Sequence, residues 1–316
     1  MKKDFTRREF INVAAKVGGI GAGCAISGVA GTFAFAENGE QAAAQGAKTR
    51  IVDIHTHFEA NNPAYLDEFL KMSDELNLTG CMLTPFENRR AVAEVAKKFP
   101  RQIVPFGYVD LDAPDVVKQV EELHSLGYRG LGELEFVKKQ YNDPSYFPVY
   151  ELANRYQWVV LFHTGIVARE KFKEPEDVAS FRMSAEYLEE IARRFPKITV
   201  IGAHCGNPDY QWAAEIARWN PNVFFDLSGS TLKKLGGRLD EFLEYFWWTG
   251  TDEGTETPNN DPSAFTKLVF GSDTNPKNVG HVLSQYQAMF EACGVSESAR
   301  KLVLGGTLAK ILNLPE

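Results

Sequence analysis

The segment Ile51–His57, with the sequence IVDIHTH, decides the interpretation of this chain. Its β-branched and aliphatic residues predict a buried strand. His55 and His57 stand two residues apart at the carboxyl end of that strand. Successive side chains of a strand point to opposite faces, so both imidazoles are expected on one face, where a single cation can bind them. The segment therefore predicts a strand that ends in a metal-binding pair.

Strand and helix patterns alternate along the rest of the chain. From Arg50 onward, short runs of β-branched and aromatic residues are followed by segments of helical period, which is typical of βα units. Seven further strands are predicted at Thr79–Pro85, Gln102–Asp110, Arg129–Phe136, Trp158–Gly165, Ile198–Gly206, Val223–Gly229 and Leu268–Asp273. Helices are predicted at Ala64–Leu76, Arg90–Phe99, Pro114–Leu126, Phe147–Tyr156, Ala185–Phe195, Tyr210–Trp219, Leu239–Phe246 and His281–Ala292. Units of this size and number predict an α/β fold, a (β/α)8 TIM barrel over residues 50–316, with Ser298–Leu314 as C-terminal extra helices.

The polar residues at the strand ends separate this barrel from a doubly wound open sheet, which shows the same alternation. His163, His204 and Asp273 lie at the carboxyl ends of the fifth, sixth and eighth predicted strands. Alternation puts His163 on the face of Leu161 and His204 on the face of Gly202. In a closed barrel these ends converge on one mouth, whereas an open sheet would scatter them. Four of the six histidines lie at such strand ends. This concentration favours a metal centre over buried histidines that only form hydrogen bonds within the core.

Four short motifs strengthen this interpretation. In the same order, they resemble the four signatures of the amidohydrolase superfamily: Asp53–His57, His163–Gly165, Ala203–Gly206 and Phe270–Asp273. The body of the chain up to Leu314, including the closing Gly305–Leu312, is similar to the amidohydrolase-related family that contains aminocarboxymuconate-semialdehyde decarboxylase.

The resemblance implies a role for each matching residue. His55, His57 and His163 would be metal ligands, and Asp273 would be a further ligand or a base. His204 would be a catalytic histidine or the ligand of a second metal. Imidazoles with one carboxylate suit a divalent metal such as Zn²⁺, which lowers the pKa of a bound water to near 7. Asp273 could then accept a proton from that water, while His204 polarises the substrate carbonyl.

Glu133 departs from the pattern of the decarboxylases in the resembled family. It lies in the fourth predicted strand, where alternation puts it on one face with Leu131 and Glu135. In other branches of the superfamily a carboxylate or a modified lysine at this place bridges two metals, so Glu133 is a candidate bridge. A pairing with a basic side chain such as Arg129, or a substrate-binding role, explains it equally well. Because the resembled family is mononuclear, we expect one ion rather than two.

Metal-assisted hydrolysis of a C–O or C–N bond in a small organic molecule is the function that these residues favour. Non-oxidative decarboxylation of an unsaturated or aromatic carboxylic acid is the alternative, since the resembled family performs it. A non-catalytic metal-binding barrel is disfavoured, because metal storage would not require the pair His204 and Asp273. Basic residues in the loops after strands two, four and five indicate a carboxylated substrate: Arg89, Arg90, Lys138, Lys139, Arg169 and Lys171.

The first 36 residues predict an export signal. The pair Arg7-Arg8 precedes a glycine-rich apolar run over 17–36, which ends in Ala34-Phe35-Ala36. This arrangement resembles a twin-arginine signal peptide with its cleavage site. A retained membrane anchor is the alternative, but the many glycines weaken insertion, so no stable membrane insertion is expected after cleavage. Residues 37–49 then form a linker, and the barrel is expected in the periplasm or another extracytoplasmic compartment.

The charge of the chain limits its partners. The formal net charge is −8, and removal of the leader, with its five basic and two acidic residues, lowers it to about −11. An acidic protein does not attract phosphate backbones or anionic lipid, so nucleic acid is not expected as a partner and a small-molecule substrate is. The polar insertion Thr249–Asp261, which follows Trp247 and Trp248, is a candidate contact of a homo-oligomer.

Overall fold

A computed structural model describes residues 50–167, 179–235, 237–246 and 263–315. The predicted leader, the predicted linker and the insertion with its two tryptophans lie outside these residues. Among the helices described, none has the length and apolar character needed to cross a membrane.

Seven parallel strands form one sheet in the described part of the chain. They pair in chain order, each with the next, so every crossover returns to the same direction as in a (β/α)8 barrel. The strands are β1 (Ile51–His57), β2 (Leu78–Thr84), β3 (Ile103–Gly107), β4 (Gly130–Leu134), β5 (Val159–His163), β6 (Thr199–Ala203) and β7 (Val223–Phe225).

The segment Leu268–Asp273, predicted as the eighth strand, closes the ring between β7 and β1. On one side, Leu268 forms a parallel bridge with Phe225 of β7. On the other side, the amide of Ile54 donates to the Phe270 carbonyl, and the amide of Asp273 donates to the His55 carbonyl. The prediction of a regular strand is wrong, because the amide of Phe270 donates to Val303 of the C-terminal tail instead of to a neighbouring strand. The predicted barrel is confirmed.

Helices follow the strands as the sequence predicts. They are α1 (Tyr65–Leu76), α2 (Arg89–Lys98), α3 (Val116–Ser125), α4 (Phe147–Tyr156), α5 (Tyr187–Arg194), α6 (Tyr210–Trp219), α7 (Thr231–Leu235), α8 (Phe242–Tyr245), α9 (Val279–Ala292), α10 (Glu297–Lys301) and α11 (Thr307–Ile311). The predicted helix Leu239–Phe246 is a 3-10 turn followed by the short α8, and α7 was not predicted. The last two helices are the predicted C-terminal extra helices, joined by a π-helical turn.

The hydrophobic core has an inner and an outer layer. The outer layer lies between the sheet and the helices, where Leu123 of α3 packs so closely over Gly107 that a Cβ there would meet it at 2.3 Å. The inner layer fills the barrel with side chains of the strands, including Val52, Ile54, Leu83, Phe106, Val159, Leu161, Ile201 and Ala203. Leu308 and Leu312 of the C-terminal tail belong to this inner layer. The tail therefore plugs the barrel, and the free mouth is at the carboxyl ends of the strands.

Candidate metal centre

The first group of metal-binding side chains lies at the junction of β1 with the closing segment. The Nε2 atoms of His55 and His57 are 3.1 Å apart. Asp273 Oδ1 lies 3.6 Å from each of these two nitrogens. His55 is fully buried, whereas the side chains of His57 and Asp273 keep 42% and 30% of their exposure. The three residues could hold one metal ion on the solvent side of the mouth.

The second group comes from β4, β5 and the end of β6. His163 Nδ1 lies 2.8 Å from Glu133 Oε1, and His204 Nε2 lies 3.3 Å from the same oxygen. Donor atoms of these three residues all lie within 4.8 Å of one another. The predicted ligand set put His163 with the pair from β1, but the structure places it with His204. The donors therefore lie in two groups, an arrangement compatible with the alternative in which His204 is a ligand of a second metal.

Glu133 lies between the two groups. Its Oε1 faces His163 and His204, whereas its Oε2 lies 3.0 Å from His55 Nε2 and 3.5 Å from His57 Nε2. The proposed pairing with Arg129 is not found, because that guanidinium donates to the Leu312 carbonyl at 2.7 Å. Each carboxylate oxygen of Glu133 thus serves a different group of imidazoles.

Electrostatics show how strongly this cluster needs positive charge. Burial acts to raise the pKa of Glu133, but the charge of His55 and hydrogen bonds from the surrounding imidazoles hold it well below its ordinary value. Burial acts to lower the pKa of His55, but Glu133 and Asp273 raise it well above its usual range. Likewise, the pKa of His204 is raised against the effect of its burial, chiefly by its hydrogen bond with Glu133. The cluster thus favours positive charge next to Glu133. A divalent cation would supply that charge, so the donor set fits a metal.

The ends of β1, β4 and β6 depart from regular alternation. Gly202 faces outward, against Phe225 and Leu188, so alternation would also turn His204 away from the mouth. Instead, a 3-10 turn begins at His204, and the φ angle of His204, 61°, lies in the left-handed region. The strand register also shifts between Asp53 and Thr56 in β1, and between Leu131 and Leu134 in β4. The parity argument for His204 and Glu133 was therefore wrong, although both residues do lie in the mouth.

Asp226, just beyond β7, is a site residue that the sequence interpretation missed. It is fully buried, and its Oδ2 lies 3.0 Å from His55 Nδ1. Burial acts to raise its pKa, but the hydrogen bond from His55 and the charge of that imidazole lower it. A carboxylate can only accept at this contact, so His55 carries a proton on Nδ1, and its Nε2 would be the nitrogen that binds a cation beside Glu133 and His57.

Ser228 extends the same arrangement to His204. Its hydroxyl donates to Asp226 Oδ1 at 2.6 Å, and its oxygen lies 2.9 Å from His204 Nδ1. With its one proton given to the carboxylate, the hydroxyl accepts from His204 Nδ1–H. The other ring nitrogen, Nε2, lies beside Glu133 and would be the one that binds a cation. Asp226 thus orients one imidazole of each donor group, directly for His55 and through Ser228 for His204.

Several basic loop residues that suggested a carboxylated substrate are engaged elsewhere. Arg89 and Arg90 both pair with Glu122 of α3, at 2.9 and 2.8 Å. Lys139 pairs with Asp143 within its own loop, at 3.4 Å. The two further candidates, Arg169 and Lys171, lie outside the described residues. The prediction of a carboxylated substrate therefore loses most of its support among the residues that the structure describes.

Solved structures share this fold at low sequence identity. An uncharacterized TIM-barrel protein from Bordetella bronchiseptica matches with a TM-score of 0.60 and 14% identity, over 84% of this chain and 98% of its own. A "probable 2-pyrone-4,6-dicarboxylic acid hydrolase" from Acinetobacter baumannii has a TM-score of 0.56 and 14% identity, over 84% and 100% of the two chains. The 5-carboxyvanillate decarboxylase of Sphingomonas paucimobilis has a TM-score of 0.54 and 13% identity, also over 84% and 100%.

The comparison with curated proteins finds no match. The family model described as amidohydrolase, Amidohydro_2, matches residues 79–314, which is most of the barrel. That match agrees with the TIM-barrel fold and with the convergence of histidine and acidic side chains at its mouth. The chain therefore belongs to the Amidohydro_2 family of amidohydrolases.

Proposed function

We propose that this protein is a metal-dependent hydrolase that cleaves a C–O or C–N bond in a small organic substrate. The position of Glu133 carries the proposal, because its two oxygens face two different groups of nitrogen donors. A bridging carboxylate of this kind is suited to a pair of divalent ions, and paired ions serve hydrolytic displacement. The proposal revises the single ion expected from sequence to two.

The donors divide naturally between two ions. His55, His57 and Asp273 would hold the first, and His163 and His204 would hold the second. Glu133 would contribute one oxygen to each. Four imidazoles and two carboxylates form a nitrogen and oxygen donor set that suits zinc, which we propose as the metal. When bound, such ions supply a water of lowered pKa and polarise the substrate oxygen.

The residues of the chain have distinct tasks in the proposed reaction. Asp273 combines a place in the first donor group with a side chain 30% exposed to the mouth. It is therefore placed to accept the proton of the attacking water and to return it to the leaving group. His204 is held in place by its contact with Ser228. Its Nε2 lies 3.3 Å from the Glu133 carboxylate, where it would help to hold the second ion. His57 lies at the open side, where substrate enters.

Decarboxylation of an unsaturated or aromatic carboxylic acid is the second candidate. It is supported by the fold shared with the 5-carboxyvanillate decarboxylase. Decarboxylation does not explain why a carboxylate lies between two donor groups. Hydrolysis does, because a carboxylate in this place can hold two ions together. A non-catalytic metal-binding barrel is the weakest candidate, because metal storage does not require the Asp273 side chain to remain 30% exposed at the mouth.

The test compares turnover of two substrate panels by protein loaded with zinc. One panel holds lactones, esters and N-acyl amides, and the other holds aromatic and unsaturated carboxylic acids monitored for release of CO₂. We expect hydrolysis that is abolished by chelation, restored by zinc and lost in Glu133→Gln. The variant Glu94→Gln, which makes the same change on the exposed surface of α2, should match the wild type. Release of CO₂ without hydrolysis would replace the proposal by the decarboxylase.

We further propose that the protein acts outside the cytoplasm. The support is the Arg7-Arg8 pair and the Ala34-Phe35-Ala36 site of the leader. The partner is then a small-molecule substrate of that compartment, with neither nucleic acid nor stable membrane insertion involved. Assembly into a homo-oligomer is compatible with this location.

A further inference from the structure

A pocket of about 270 Å³ opens beside the first donor group, at the carboxyl ends of β1 to β4. Its lining includes His57 of that group, the buried apolar residues Phe58 and Leu83, and Tyr108. Among the described residues that line this pocket, Tyr108 alone carries a hydroxyl group. Barrel enzymes bind their substrates at this end of the strands. A substrate that approaches His57 would therefore lie next to Tyr108.

The sheet fixes the position of Tyr108, which directly follows β3. Phe106 belongs to the inner layer of the core, whereas Gly107 faces outward against Leu123 of α3. Alternation therefore turns Tyr108 inward, toward the mouth. The amide of Tyr108 donates to the Thr84 carbonyl at 2.9 Å, which extends the pairing of β3 with β2 by one residue. Tyr108 is thus held at the rim of the mouth by backbone pairing and not by its own side chain.

The hydroxyl of Tyr108 has no acceptor in the part of the chain that the structure describes. Tyr141 also lies toward this end of the barrel, but its hydroxyl donates to the carbonyls of Leu134 and His163. A phenol has an ordinary pKa of about 10 and keeps its proton at pH 7. Burial, followed by the neighbouring Glu135, raises the pKa of Tyr108 further. The mouth therefore presents a hydroxyl donor to whatever binds there, and such a group can fix the orientation of a ligand.

We propose that the Tyr108 hydroxyl donates a hydrogen bond to the carbonyl oxygen of the substrate. When water attacks the carbonyl carbon, a new C–O bond forms and the carbonyl electron pair moves to this oxygen. The hydrogen bond then strengthens, because the oxygen gains negative charge, so Tyr108 stabilises the transition state more than the bound substrate. The electron pair returns when the leaving group departs, and Tyr108 keeps its proton throughout. This role rests on the proposed hydrolysis, in which Asp273 accepts the proton of the water.

The variant Tyr108→Phe tests this role on zinc-loaded protein, because it removes one oxygen atom and keeps the ring. We expect kcat for the best substrate of the hydrolysis panel to fall by about 10²-fold, with KM changed by about twofold or less. Zinc content and the midpoint of denaturant unfolding should stay unchanged, since the hydroxyl bonds to no described residue.

Two other tyrosines provide matched controls. Tyr156→Phe makes the same change in a separate pocket, beside Leu312 of the C-terminal tail, and should match the wild type in every measurement. Tyr141→Phe removes a hydroxyl that donates to two backbone carbonyls, so it should lower the unfolding midpoint. The pair separates a hydroxyl that serves the substrate from one that serves the fold.

A second measurement needs no turnover. Benzylphosphonate has a tetrahedral oxyanion similar to the one formed in hydrolysis, and its binding to zinc-loaded protein can be followed by calorimetry. Its Kd should rise by about tenfold in Tyr108→Phe, the effect of one lost hydrogen bond to a charged oxygen, and should not change in Tyr156→Phe.

The outcomes separate the role of Tyr108 from the proposed reaction. Weaker binding of benzylphosphonate to Tyr108→Phe, with no hydrolysis by the wild type, would support the donor and refute the reaction. Hydrolysis and phosphonate binding that are both unchanged in Tyr108→Phe would overturn the role of Tyr108 and leave the reaction standing. Loss of zinc from Tyr108→Phe would also overturn that role, because the hydroxyl would then support the metal centre.

Discussion

Replacement of Ser228 by alanine tests how the protein orients its histidines. The hydroxyl of Ser228 joins Asp226 Oδ1, at 2.6 Å, to His204 Nδ1, at 2.9 Å. Without it, Nδ1 of His204 loses its hydrogen-bond acceptor and the ring can rotate, so Nε2 is no longer held in place as the metal-binding nitrogen. His55 keeps its own contact with Asp226 Oδ2 at 3.0 Å. Because the Ser228 oxygen also lies 3.2 Å from His55 Nδ1, the substitution should weaken the second proposed metal site more than the first.

The expected size of this effect follows from the loss of one orienting partner. Removing such a partner of a metal-binding histidine lowers affinity by about 10–100-fold, which is about 1.4–2.7 kcal/mol. Asp226 loses one of several donors, so the free energy of unfolding should fall by about 1–3 kcal/mol. Asp226→Asn removes the carboxylate that serves both imidazoles, so both ions should bind more weakly.

The assay is a competition titration of zinc against a chelator, which resolves the two binding steps. Ser284→Ala is the matched control, because Ser284 is exposed on α9 and its hydroxyl donates only to the Gly280 carbonyl. Nitrogen-15 spectra of the imidazoles should also show His204 changing from the Nδ1–H form to a mixture in Ser228→Ala. An equal fall of both zinc affinities in Ser228→Ala would contradict the orienting role of Ser228, as would unchanged affinities in both Ser228→Ala and Asp226→Asn.

Three further changes have defined outcomes. His204→Asn should remove about one equivalent of zinc and reduce turnover by about 10²-fold or more, measured by metal analysis and steady-state kinetics; full activity would contradict any role for this residue. Gly271→Ala should destabilise the protein by about 1–3 kcal/mol in denaturant unfolding, because a Cβ there would lie only 2.5 Å from Asp226 Oδ2, the oxygen that contacts His55. Gly280→Ala, where a Cβ meets nothing within 4 Å, should not destabilise it. Lysine at Arg7 and Arg8 should retain the protein in the cytoplasm in a fractionation experiment, and unchanged export would rule out the twin-arginine route.

The barrel could be predicted from sequence because two signals agree along the chain: the hydrophobic periodicity of strands and helices, and the polar residues at the carboxyl ends of the strands. Phe147–Tyr156 and Tyr210–Trp219 are helices with the predicted bounds. The irregular closing segment could not be predicted, because its geometry depends on the distant carbonyl of Val303. Likewise, the hydrophobic periodicity of Leu239–Phe246 does not indicate that this segment divides into a 3-10 turn and a short helix. Contacts between distant parts of the chain decide such details.

The residues of the candidate site could be predicted from sequence, but their division into two donor groups could not. His55, His57 and Asp273 lie together, as the motifs indicated. His163 joins His204 because the mouth brings neighbouring strands five and six together, and pairing along the sheet could have indicated this. Strand parity failed for His204, since a left-handed turn overrides alternation there. No local signal in one strand reports such a turn.

Asp226 was missed although a signal for it existed. It lies in the carboxyl-terminal half of the predicted seventh strand, Val223–Gly229, toward the same end as the recognised histidines, and Ser228 shares its parity. The rule that selected the other strand ends applies equally to this one. Its acidic side chain binds no metal in the proposed arrangement and instead orients imidazoles, so a search restricted to metal ligands passes over it.

If Glu133 bridges two metal ions, the metal content of the purified protein must depend on this one carboxylate. Elemental analysis after full loading with zinc should give two equivalents per chain for the wild type. Glu133→Gln, which keeps the shape of the side chain and removes its charge, should bind one equivalent or less. Two equivalents in the wild type falling in the variant would support the bridge. One equivalent in both proteins would contradict it and return the centre to a single ion.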